Sequence, residues 1–158
     1  MNPSIFLSTF HNKIDKKGRI SIPPSFRSVL AHKGLQSVVL FQSIHINAIE
    51  GMGMDRMEKI SQSIDQLDLF SQAHNDWTSS VFANAHVLSF DSEGRITLPS
   101  DLCQAIGIDK EAAFVGQGPT FQIWSPDNLA IHQHQARQRI QNNNNSIGSI
   151  AGKHEGGA

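Results

Sequence analysis

The chain has almost none of the features that hold small secreted or membrane proteins together. It carries one cysteine, Cys103, in 158 residues, so an internal disulfide is excluded. No basic stretch leads into an apolar run of signal-peptide length. The longest apolar runs, such as residues 38–41 and 112–115, fall far short of the roughly 20 residues a spanning helix needs. These absences predict a cytoplasmic protein. Charge is also scarce, at 17% of residues with a formal net charge of −1, which on its own argues against a uniformly basic nucleic-acid binder. The 39% hydrophobic content is ample for folding, and the length suits one ordinary core or two small modules that share one.

The groups that chemistry requires are just as thin. Eight histidines are present, but His132 and His134 lie two apart on a predicted helix and face different sides, and no Cys, His and carboxylate cluster has metal-ligand spacing. Cys103 has no neighbouring base to make it a nucleophile, and reads as a small core or interface residue. Gly116-Gln117-Gly118-Pro119 separates two apolar runs with no helix after it, so it is a hairpin loop and not a phosphate cradle. No catalytic centre, cofactor, metal or small-molecule substrate is expected.

What the sequence does contain is a repeat. DKKGRISIPPSF at residues 15–26 returns as DSEGRITLPSDL at 91–102, an offset of 76, and so long an agreement points to duplication. The near-neutral average conceals an asymmetry between the copies. Residues 11–33 hold Lys13, Lys16, Lys17, Arg19, Arg27 and Lys33 against Asp15, a balance of +5. Residues 84–111 hold Arg95 and Lys110 against Asp91, Glu93, Asp101, Asp109 and Glu111, a balance of −3.

Aspartate followed three residues later by glycine favours a type I turn with a positive φ at the glycine, so 15–18 and 91–94 are predicted hairpin tips. After each, Arg19-Ile20-Ser21-Ile22 and Arg95-Ile96-Thr97-Leu98 alternate polar with apolar, the period of a strand buried on one face, with the arginines outward. Pro23-Pro24 and Pro99 then open short helices that close at Gly34 and Gly107. Further apolar runs follow at 38–41 and 44–49, and at 113–115 and 121–124. Each half therefore reads as hairpin, helix, hairpin. Between the halves, Met54, Met57, Ile60, Ile64 and Leu67, then Trp77, Val81 and Ala85, have helical spacing. Ser125-Pro126-Asp127 caps a further helix carrying Leu129, Ala136 and Ile140 on one face, and the polar, Gly-rich end is expected to be unstructured.

The doubled D-x-x-G-R-[apolar]-x-[apolar]-P, spread through residues 5–140 in both copies, resembles the MraZ family, whose halves look like the swapped-hairpin DNA-binding module of the AbrB and SpoVT type. The resemblance implies an α+β fold in which two tandem swapped-hairpin β modules form a double-split β-barrel with linking and C-terminal helices. The expected organisation is a first module at 5–52, a helical linker at 53–83, a second module at 84–126, a helix at 127–140 and a disordered tail at 141–158. The resemblance also implies ring-like homo-oligomers in the cytoplasm and nucleoid that bind repeated double-stranded DNA sites upstream of cell-division and cell-wall genes, their own included. The Asp-x-x-x-Arg signature that would contact DNA falls on Asp15 and Arg19, and on Asp91 and Arg95. Relatives also place an arginine after the first turn of the short helix; Arg27 fits, whereas the second copy has Cys103.

From the residues themselves, Lys16, Lys17 and Arg19 on a protruding turn suit phosphate contact, with Lys13 and Arg27 as neighbouring cations. Arg19 also suits bidentate contact with guanine, and Asp15 would fix the turn and orient Arg19. Ser92-Glu93 replaces Lys16-Lys17 in the second copy, so the main contact is expected from the first. The plainer alternative for each Asp and Arg pair is an exposed structural ion pair, which contributes about 0.2 to 1 kcal/mol. A function of another class, an oligomeric scaffold or antitoxin-like module that holds a partner protein with residues 141–158, also fits the sequence.

Overall fold

A computed structural model describes residues 4–143. The chain divides into two compact units, the second beginning at Asp127. The first contains strands β1 (Thr9–Lys13) and β2 (Arg19–Ser21), helix α1 (Pro24–His32), strands β3 (Ser37–Gln42) and β4 (Ile49–Met52), helices α2 (Met54–Ile64) and α3 (Gln72–Trp77), a π-helical turn at Thr78–Phe82, strands β5 (His86–Ser89) and β6 (Arg95–Thr97), helix α4 (Ser100–Ile106), and strands β7 (Glu111–Gly116) and β8 (Phe121–Trp124). The duplication is visible as one order used twice: strand, short strand, helix, two strands.

The pairing exchanges strands between the copies. A six-stranded sheet runs β1-β7-β8-β4-β3-β5, and β2 pairs only with β6 in a separate two-stranded ribbon. All ladders are antiparallel. The sheet order is the same from either end when the halves are interchanged, with β4 against β8 at its centre. This corrects the expectation of a hairpin at the start of each half. The turns exist, but the strands beside them do not ladder with each other: β1 joins β7 and β5 joins β3, while β2 and β6 join one another. The physical reason is edge satisfaction. A three-residue strand folded back on its own neighbour leaves its other edge and its apolar face open, whereas pairing across the halves buries both Ile20 and Ile96. The second pair of strands in each half, β3 with β4 and β7 with β8, does form a hairpin.

The core is correspondingly shared. Ile20, Ile22, Phe26, Leu30, Leu40 and Ile49 from the first copy pack with Ile96, Leu102, Ile106, Phe114, Phe121 and Ile123 from the second. Phe26 lies at its centre, with ring centroids 5.2 Å from Phe6, 5.6 Å from Phe10, 6.3 Å from Phe114 and 5.3 Å from Phe121. Gly51 lets β4 approach β8 here, since a Cβ at that position would lie 2.5 Å from Phe121 Cζ. On the opposite face of the sheet Val39, Phe41 and Met52 meet Met57 and Val81. Residues 38–41 are buried throughout, because alternate side chains enter the two clusters.

Two apolar runs are longer in sequence than the elements they form. The helical stripe extends to Leu67, yet α2 ends at Ile64 and Leu67 is exposed. Strand β4 starts at Ile49, leaving Ile44 exposed. Helix α5 (Pro126–Asn142) begins at the boundary of the second unit and supplies its described structure. Of the tail expected at 141–158, residues 144–158 lie outside the described residues. Among the described residues no helix is long and apolar enough to cross a membrane.

A core built from both copies predicts one cooperative transition. Phe26→Ala should destabilise by about 3 to 5 kcal/mol, read by urea denaturation, and should lower the stability of both halves together. Separate transitions for the two halves would contradict the shared core.

Candidate nucleic-acid interface

Each repeated tip is folded by its own aspartate. The Gly18 amide donates to the Asp15 carbonyl at 3.0 Å and the Asp15 amide to the Arg19 carbonyl at 3.0 Å. Asp15 Oδ1 accepts from the amides of Lys17 at 2.9 Å and Arg19 at 2.8 Å, and Oδ2 accepts from Arg19 Nε at 2.7 Å. The second tip repeats this arrangement: Asp91 accepts from the amides of Glu93 and Arg95, both at 2.9 Å, and from Arg95 Nε at 2.8 Å. The amide bond from Arg19 leads the causes that hold the Asp15 carboxyl below the ordinary carboxylate range, and the amide bond from Arg95 does the same for Asp91. The turns close at Gly18 and Gly94, whose φ values are +81° and +75°, conformations that a side chain would strain.

The expected Asp and Arg pairs are thus present, but the aspartates do more than balance charge. Each accepts from the Nε of its arginine and shapes the backbone of the turn at the same time. The purely structural alternative accounts for the turn.

Ribbon register brings the two arginines together. Arg19 stands opposite Thr97 and Ser21 opposite Arg95, with Ile20 opposite Ile96 between them. Side chains alternate along a strand, so Arg19, Ser21, Arg95 and Thr97 occupy one face while Ile20 and Ile96 point into the core. The two arginines are diagonal neighbours, a relation that places the residues about 7 to 8 Å apart, with their Cβ atoms somewhat closer. Ribbon bonds continue into the tips: the Leu98 amide donates to the Gly18 carbonyl at 2.8 Å, and the Ile22 amide to the Gly94 carbonyl at 3.1 Å. Sequence reasoning marks both arginines but misses Ser21 and Thr97. The matching Ser/Thr position of the repeat is the only signal available, and it acquires meaning once β2 is known to pair with β6.

The two ends of this face differ in charge. Lys16 and Lys17 are exposed and have no ion pair among the described residues. At the other end Glu93 Oε2 lies 3.2 Å from Arg95 Nη2, and the bond to Asp91, with the added charges of Glu93 and Asp15, holds the Arg95 guanidinium above its ordinary pKa. Lys13 is exposed on β1 opposite Glu111 in the ladder, so its charge is partly offset. Lys33 pairs with Asp55 at 3.1 Å and belongs to a separate surface feature. Arg27 is half-buried and its Nε donates to the Ile22 carbonyl at 3.1 Å. The structure therefore gathers Asp15, Lys16, Lys17, Arg19, Asp91 and Arg95 about one ribbon, with Lys13 and Arg27 beside it.

Comparison with known proteins agrees with the duplication. The family described as "MraZ protein, putative antitoxin-like" matches residues 5–78 and again 81–146. A protein named Transcriptional regulator MraZ from Pelagibacter ubique is 43% identical over 143 residues, covering 90% of this chain and 92% of its own length. Its namesake from Rickettsia bellii is 41% identical over 149 residues, covering 89% and 99%. Another from Rickettsia canadensis is 39% identical over 135 residues, covering 85% and 91%. With both copies of the repeat matched and these relatives aligned nearly end to end, the chain belongs to the MraZ family.

Proposed function

We propose that this protein is a sequence-specific DNA-binding transcriptional regulator that lays the exposed face of the β2–β6 ribbon in the major groove. The observation that carries this is the register that puts Arg19 and Arg95 on one solvent-facing side of a two-stranded ribbon. The major groove admits such a ribbon, and arginine pairing with guanine is the commonest specific contact there. The names of the aligned relatives support the regulatory role. Lys16 and Lys17 bind phosphate and set the position, Arg19 reads a base edge, and Asp15 and Asp91 hold their arginines in line. Arg95 contributes from the same face, with the nearby Glu93 carboxylate partly offsetting its field. Lys13 adds a nearby cation. No catalytic step is involved.

The assembly follows from the scale of one tip. A few phosphate contacts bind weakly, whereas copies linked in a ring gain affinity on repeated sites through effective concentration. In this proposal the modules at 5–52 and 84–126, joined through 53–83, close as a double-split β-barrel, and copies form ring-like oligomers in the cytoplasm and nucleoid. Their sites are the promoter repeats of the cell-division and cell-wall genes that include the protein's own.

Replacing Lys16, Lys17 and Arg19 by Ala should weaken binding to a repeat-bearing promoter fragment and flatten its dependence on salt, by a slope of about 0.9 for each phosphate no longer neutralised. Arg19→Ala alone should cost about 1 to 3 kcal/mol and relax discrimination at one base pair. Unchanged affinity and slope in the triple variant would refute the assignment.

Asp15→Asn separates orientation from bulk charge. Removing an anion near phosphates would strengthen binding if net charge ruled; weaker binding is expected, because Arg19 loses its anchor. The tip should respond to acid in the same sense. Both aspartates have folded-state pKa values below the ordinary one, so their contribution is complete above about pH 4 and disappears as pH falls through the lower folded values. Amide chemical shifts of Lys17, Arg19, Glu93 and Arg95 followed on acidification will report it.

A further inference from the structure

Arg27 belongs to the first copy, yet its guanidinium lies against the tip of the second. A Cβ built on Gly94 would fall 2.6 Å from Arg27 Cζ and 2.8 Å from its Nε, so the planar group covers the Gly94 backbone. Its Nε is held by the Ile22 carbonyl, and the Ile22 amide in turn donates to the Gly94 carbonyl. The second tip therefore rests on a side chain and a strand end supplied by the other half, and Gly94 is buried.

The duplicated position is not filled in the same way. Cys103 stands where the repeat would place an arginine beside the first tip, and among the described residues a Cβ built on Gly18 would meet Leu98 O at 3.7 Å and Thr97 Cγ2 at 3.8 Å. A groove of about 750 Å³ opens there, with Asp15, Lys16, Gly18 and Cys103 among its lining. The corresponding space beside the second tip, with Arg27 and Gly94 in its wall, is about 360 Å³.

We infer that Arg27 is a positioning residue that braces the second tip across the two halves, and that Cys103 leaves the first tip unbraced, so one ribbon face presents Arg95 on a fixed support and Arg19 on an adaptable one. This rests on the DNA-binding function proposed above for its consequence, and on the free protein for its mechanics. A braced arginine loses little freedom on binding and favours one geometry. An unbraced tip with two lysines adjusts to the phosphate path it meets.

The two tips are each other's control. In the free protein, Arg27→Ala should speed amide hydrogen exchange at Glu93, Gly94 and Arg95 by roughly tenfold or more, since local opening sets protection, and leave Lys17, Gly18 and Arg19 unchanged. Arg27→Lys keeps the charge without the planar group and should behave like the alanine variant. Cys103→Arg should slow exchange at the first tip alone. On DNA, Arg27→Ala should weaken binding roughly tenfold and have no further effect once Arg95 is already Ala, because residues acting through one another are not additive.

Unchanged exchange at the second tip, or equal acceleration along the whole ribbon, would overturn the brace. So would additive losses with Arg27→Lys retaining affinity, which would make Arg27 a direct phosphate contact. If the tip arginines themselves prove irrelevant to DNA, the proposed function fails while the exchange measurements still decide the brace.

Discussion

Neither copy of the repeat can satisfy its own strand edges, and the rest of the structure depends on this constraint. A three-residue strand such as β2 has too little ladder to stand beside one neighbour and too little apolar surface to cover itself. Paired with β6 it gains both, since Ile20 and Ile96 close over a common core and each strand end bonds to the other half's tip glycine. Exchange at the ribbon then makes the separate folding of either half unfavourable. Phe26 illustrates the result, with aromatic neighbours Phe114 and Phe121 drawn from the opposite copy.

The same exchange resolves the apparent contradiction between a net charge of −1 and a DNA-binding role. Phosphate attraction depends on the local field that the polymer meets, not on the sum over the chain. Two carboxylates lie against other groups: Asp55 pairs with Lys33, and Asp101 lies 3.5 Å from His86. Asp15 and Asp91 sit at the proposed interface but are turned inward on amides and on Nε. Lys16 and Lys17 remain exposed. A chain that is nearly neutral overall thus offers one cationic end, and self-association would multiply that end.

Local chemistry is legible in the sequence because it depends on residues close together. Asp at the first turn position, Gly at the fourth, alternation after the arginine and proline before each helix all describe interactions within a few residues, and the tips and α1 and α4 follow them. The partner of each strand is not legible, since alternation says which face is buried and nothing about which edge meets which. That is why the sequence alone suggests that β1 and β2 pair with each other. The gap extends to the site: Arg19 and Arg95 can be marked one by one, but only the β2–β6 register shows that they share a face. Arg27 falls between these cases. Its charge places it beside the tip in sequence, whereas the structure turns it onto Gly94 of the other copy.

Duplication alone would have given the ribbon a two-fold axis, with equivalent ends and an unbiased approach to DNA. The substitutions that separate the copies remove that equivalence. Lys16-Lys17 at one end of the ribbon has Ser92-Glu93 as its counterpart at the other, and Arg27 has Cys103. Both differences act in one direction: the first end carries Lys16 and Lys17, while at the second Glu93 offsets the field of Arg95 and Arg27 lies against Gly94. On the proposed function, a face with unequal ends would distinguish a DNA site from its reverse complement, because turning the ribbon round would set Glu93 where the lysines would otherwise meet phosphate, and like charges in contact are costly. Divergence after duplication therefore did not merely weaken one copy. It turned a symmetric surface into an oriented one, while the shared core, which needs only apolar volume from each half, kept the symmetry of the original.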